Sequence, residues 1–158
     1  MGKEKRSYLL GRLFGIAYPY GAQNGIGRVE IYQNLAKNYE NFLQIMNNLQ
    51  FSSDAHISRM ASEVGTSPLN DDIESMNWFN EGWADQLERL RIGRMIADMR
   101  KQQGYSQRQL AERAFITPAN LANIELGRYA MGLDVFRRIV EALGVQLDLV
   151  KKQDNDEP

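Results

Sequence analysis

Catalytic chemistry has little to work with in this chain. It carries one histidine, His56, no cysteine, and serines that no base accompanies, so neither an activated nucleophile nor a set of metal ligands can be assembled. Three glycines interrupt the stretch from Tyr18 to Gly27, but no Gly-Lys-Ser/Thr follows them, so the segment reads as a plain loop and not as a phosphate cradle. No enzyme activity, metal or cofactor is expected. The residues that do form a functional pattern run from Gly104 to Gly127, G-Y-S-Q-R-Q-L-A-E-R-A-F-I-T-P-A-N-L-A-N-I-E-L-G. They read as two short helices joined by a tight turn, the second stopped by glycine. That arrangement offers one helix to the DNA major groove while the other braces it.

The flanking elements must hold that pair in place. A helix over 92–103 is expected to bury Ile92, Met95, Ile96 and Met99 and to end at Gly104. Ser106 caps the next helix, which turns Leu110, Ala111 and Ala114 inward. After Ala114-Phe115-Ile116, Thr117 is a good N-cap and Pro118 occupies the first helical position, where a missing N–H costs nothing. Leu121 and Ile124 face the core, and Gly127 closes the helix. Leu133, Phe136, Val140 and Leu143 describe a further helix behind the pair, ended by Gly144. Val145 to Val150 alternates apolar and polar residues, which predicts a short strand.

With these residues in view, the segment from Arg91 to Leu149 resembles the Cro/C1-type (XRE-like) helix-turn-helix family, through S-Q-x-x-L-A followed by T-x-x-x-L-x-x-I-E-x-G. Two positions depart from the family pattern. Phe115 stands where the turn usually carries glycine, and Leu126 stands where asparagine or serine commonly precedes the closing glycine. The resemblance implies double-stranded DNA binding, with Thr117, Pro118, Ala119, Asn120 and Asn123 at the bases. Asparagine can pair with adenine and alanine can touch a thymine methyl, which favours A·T-containing half-sites. Gln107 and Arg108, with Arg128 and Tyr129 past the helix, would meet phosphates. It further implies a structural ion pair between Arg100 and Glu125. Antitoxin-like members pair their last strand across a homodimer, here through Val145, Leu147 and Leu149; docking of that strand within one chain is the alternative.

The first half reads as a separate helical module. Leu10, Leu13, Phe14 and Ala17 share one face of a helix over 8–17, in which Gly11 and Gly15 invite close packing. A strong helical period covers 28–49, from Tyr32 and Leu35 to Phe42 and Met46. A third helix runs from an Asp54 cap to Val64, with Gly65 as its stop, and places His56 at the surface. A fourth starts near Asp71 and runs towards Gln103, with a break expected at Gly82 or over 91–93. The runs Ser7-Tyr-Leu-Leu-Gly-Arg-Leu-Phe14 and Phe79-Asn-Glu-Gly-Trp-Ala-Asp-Gln86 are similar to the end of the large subunit of type I-C CRISPR effector complexes.

The expected whole is all-α: a small helical bundle over 1–90, a Cro/C1-type helix-turn-helix domain with a short C-terminal β-strand over 91–150, and a disordered acidic tail over 151–158. Net charge is −1, but residues 91–152 hold eleven basic and six acidic residues, whereas residues 1–90 hold eight basic and eleven acidic ones. A basic module carrying an acidic one fits a nucleic-acid binder. With no membrane-length apolar run and no leader, the chain reads as cytoplasmic. Two functions compete. One is a sequence-specific transcriptional regulator; the other is an antitoxin-like or nucleoprotein-complex accessory protein whose N-terminal module binds a protein partner.

Overall fold

A computed structural model describes residues 1–21 and 27–153. Among them the chain forms eight helices and no strand: α1 Lys3–Ala17, α2 Arg28–Lys37, α3 Tyr39–Gln50, α4 Ala55–Val64, α5 Ile73–Gln102, α6 Gln107–Arg113, α7 Pro118–Glu125 and α8 Leu133–Ala142. They gather into two compact units, Met1–Arg91 and Ile92–Pro158, so α5 contributes to both. No helix among the described residues is long and apolar enough to cross a membrane.

The first unit is built around aromatic rings. Phe14, Tyr32, Phe79 and Trp83 are all buried, and their ring centroids lie 5.3–5.9 Å apart in tilted and edge-on pairs. Such pairs add about 0.5–1.5 kcal/mol each to plain burial. What lets α1 and α5 approach is an absence of side chain. A Cβ on Gly11 would run into the Phe79 carbonyl, and one on Gly82 into the Tyr8 carbonyl. Arg6 then fixes the end of α4, donating to the carbonyls of Val64, Ser67 and Pro68. A cation there also suits the negative end of the helix dipole.

Several expectations need correction. The period over 28–49 is two helices, because Asn38 leaves helical geometry (φ −123°, ψ 85°) and its side chain caps α3 by accepting from the Asn41 N–H at 3.1 Å. The expected break in the fourth helix is absent: α5 is continuous through Gly82 and Gly93, whose missing side chains serve close packing instead. The C-terminal β-strand is also absent. Residues 145–150 are irregular, since no strand among the described residues offers them a ladder. Of the acidic tail, residues 151–153 are exposed and irregular, and the remainder lies outside the described residues, as do residues 22–26 of the 18–27 loop. His56 is half-buried.

The second unit has a small aliphatic core: Ile96 from α5, Leu110, Ala111 and Ala114, Leu121 and Ile124 from α7, and Ile139 and Leu143. Met95 and Leu133, expected inside, are exposed. Both lie at the margin of their helical stripes, where neighbouring residues already fill the small core.

Candidate nucleic-acid interface

Local hydrogen bonding fixes where each helix of the pair begins. Ser106 and Gln109 form a reciprocal capping box at α6, side chain to backbone in both directions at 3.1 and 2.8 Å. Thr117 caps α7 by accepting from the Asn120 N–H at 3.1 Å, and Pro118 occupies the first turn. The ends are equally local. Gly127 adopts φ +70°, and the Arg128 N–H reaches back to the Asn123 carbonyl at 2.9 Å.

The turn between α6 and α7 uses the same closure with the wrong residue type. Phe115 takes φ +57°, the only non-glycine among the described residues with a positive value. The Ile116 N–H bonds the Ala111 carbonyl at 3.0 Å, as the residue after a closing glycine would. The turn geometry is therefore the ordinary one, and Phe115 carries its backbone strain. Its ring gains nothing in return from burial, being 83% exposed.

Two features lock α7 in place. At Gly93 a Cβ would lie 2.5 Å from the Ile124 carbonyl and 2.6 Å from that of Glu125, so only glycine lets α5 touch the end of α7. Beside this contact, Glu125 accepts from Arg100 Nε at 2.6 Å and Nη2 at 3.1 Å, while Arg100 Nη1 donates to the Tyr105 carbonyl at 2.9 Å. Both side chains of the pair are almost wholly buried. The Glu125 hydrogen bond, outweighing burial, raises the Arg100 pKa. A third residue joins them: Gln107 Nε2 donates to Glu125 Oε2 at 2.8 Å. One carboxylate thus ties α5, α6 and α7 together.

The expected site residues divide on this frame. Thr117, Pro118, Ala119 and Asn120 are exposed along the start of α7. Asn123 is half-buried and donates its amide nitrogen to the Ala119 carbonyl at 3.1 Å, which occupies that donor. Gln107 spends its amide nitrogen on Glu125. Arg108 is exposed at 3.5 Å from Glu112, and Tyr129 is exposed beside half-buried Arg128. Val145 touches the core, Leu147 is exposed and Leu149 fully so. Gly93 and the Gln107 link were missed. A glycine inside a helical period was the visible signal for the first; nothing in sequence marked the second.

Comparison with known proteins follows the same boundary. Residues 93–155 match a family described as a helix-turn-helix domain. An immunity repressor protein of Bacillus phage phi105 is 34% identical over 61 residues, a match that covers 39% of this chain and 42% of that protein. The chain therefore spans well under half the length of this relative. No solved structure matches. The C-terminal segment thus matches a helix-turn-helix domain, and the regular structure among the described residues is all helical. The likeness of the first half to the CRISPR subunit gains no support from these matches.

Proposed function

We propose that the protein binds double-stranded DNA sequence-specifically, with α7 in the major groove, and regulates transcription. The observation that carries this reading is the exposed first turn of α7, held by the Thr117 cap at one end and the Arg100–Glu125–Gln107 cluster at the other. A helix presented to DNA must be fixed before binding, or ordering it would cost affinity. The family match and the name of the phage relative point the same way. Asn120, exposed and with its side chain outward, is the principal base reader; Ala119 offers a methyl contact; Asn123 contributes through its remaining oxygen. Arg108, Arg128, Tyr129 and the backbone N–H of Gln107 face phosphates.

Selection of bound sequences from random duplex DNA tests the reading. Wild type should enrich one motif, Asn120→Ala should relax one position by about 1–3 kcal/mol, and Asn123→Ala should do less. Absence of any enriched motif at moderate salt would refute specific recognition. Arg128→Ala should weaken all sequences alike and reduce the slope of affinity against salt by about one ion; an unchanged slope removes it from the phosphate set.

The protein acts as a homodimer in this reading. The C-terminal residues and α8 leave an open depression of about 570 Å³ lined by Leu133, Arg137, Val140, Val145 and Leu147, beside fully exposed Leu149. Dimers of helix-turn-helix proteins read half-sites about one helical turn of DNA apart. Leu149→Asp should convert a dimer to a monomer in sedimentation; a wild type that sediments as a monomer at all concentrations removes the proposal.

A further inference from the structure

Phe115 is strained and exposed at once, and neither property is explained by folding or by the DNA face. A non-glycine residue in the left-handed region costs about 1–2 kcal/mol. Glycine, which fills the matching position at Gly104, Gly127 and Gly144, would relieve that cost. The ring does not repay it, because it is not buried. What surrounds the ring is a shallow notch of about 350 Å³ lined by Arg113, Phe115, Arg138, Glu141 and Ala142.

The charges of the notch are held in place. Arg113 stacks over the Tyr105 ring at 4.6 Å, and Arg138 Nε donates to the Ala114 carbonyl at 3.0 Å. Among the described residues neither guanidinium is paired with a carboxylate. The one acid in the wall, Glu141, already accepts from Arg137 at 2.9 Å. The notch is therefore an exposed aromatic ring between two pre-positioned arginines with donors left over. Aromatic and arginine side chains are the types that dominate protein interfaces, and a planar guanidinium is suited to carboxylates.

We propose that this notch docks an acidic segment of another protein, in which one large apolar side chain packs on Phe115 while flanking Asp or Glu residues meet Arg113 and Arg138. The charge of the notch selects this occupant over a basic segment, and the ring selects it over a free anion. The proposal goes beyond DNA binding and stands without it, since none of these residues is assigned to bases or phosphates.

The full chain is titrated into a pool of fluorescein-labelled synthetic peptides, each with one Leu, Phe or Trp flanked by Asp and Glu. Companion pools carry Lys in place of the acids, or Ser in place of the apolar residue. The acidic apolar pool should raise anisotropy and the companions should not. Phe115→Gly should weaken binding about tenfold, the effect of losing an interface anchor, and Arg138→Gln should weaken it less. Phe115→Gly keeps its fold by relieving the turn, checked by an equal or higher melting temperature, and keeps affinity for the selected DNA. Failure of the acidic pool to bind, equal binding by Phe115→Gly, or equal binding of the Lys pool overturns the proposal. So does a loss of DNA affinity in Phe115→Gly, which would give the ring to the DNA face, or a change in sedimentation, which would give it to a second copy.

Discussion

The two units of this protein solve the same problem, packing helices closely, with different materials. In the first, large aromatic rings fill the space between helices, and α1 comes closest to α5 where Gly11 and Gly82 clear the way for carbonyls. Long-range side chains finish the job: Arg6 reaches from α1 to the far end of α4. In the second, the core is small and aliphatic, and most helix ends are closed within a few residues of themselves by Ser106, Thr117 and Gly127. Few polar ties reach across the unit: the buried cluster around Glu125, and the bonds from Arg138 to the Ala114 carbonyl and from Gln103 to the Leu143 carbonyl. A bundle assembled from distant contacts needs all of them together. A domain assembled from local caps keeps its parts recognisable even when each is weak, and it concentrates its vulnerability in its few distant ties, above all the charged one at Glu125.

That contrast can be broken most sharply at Glu125. Glu125→Ala leaves the buried Arg100 charge and the Gln107 amide unpaired, and stability of the second unit should fall by about 3–5 kcal/mol. Both tryptophans, Trp78 and Trp83, lie in the first unit, so their fluorescence reports that unit while helical circular dichroism reports both. If the two transitions shift equally, the contrast between the units fails. Gly82→Val should do the reverse, displacing α1 from α5 at a cost of about 3 kcal/mol from overpacking and moving the tryptophan transition first. A variant that melts like wild type would mean the crossing has slack. The mildest change is Thr117→Ala, which removes one local cap and should cost about 1 kcal/mol. Because the cap also sets the start of α7, DNA affinity should fall with it; a loss of stability without a loss of affinity would separate the cap from the reading surface.

Legibility followed the same division. The limits of α6 and α7 were readable from Ser106, Thr117, Pro118 and Gly127, because each of those residues acts on backbone groups a few positions away. The Phe115 turn was readable as a departure for the same reason, and its φ of +57° is the expected geometry in an unexpected residue. Errors came where partners are remote. The 28–49 period continued through Asn38 because the hydrophobic stripe does not register one residue leaving the helix. Gly82 and Gly93 resembled helix breaks because a glycine that weakens a helix and a glycine that admits a neighbouring carbonyl look alike in one dimension. The Val145–Val150 alternation resembled a strand, yet a strand exists only with a partner, and the described residues supply none.

The sequence by itself determined an all-helical chain, the helix-turn-helix segment, its caps and closures, and the face of α7 that carries Asn120. Those follow from local propensity and from hydrogen bonds that close within one or two turns. Only the tertiary structure decided that α5 runs unbroken, that Gly11, Gly82 and Gly93 are points of contact, that Gln107 joins Arg100 on Glu125, and that Arg113 and Arg138 frame Phe115. Each of these depends on residues far apart in sequence meeting at a few ångströms, a distance that neither composition nor period encodes.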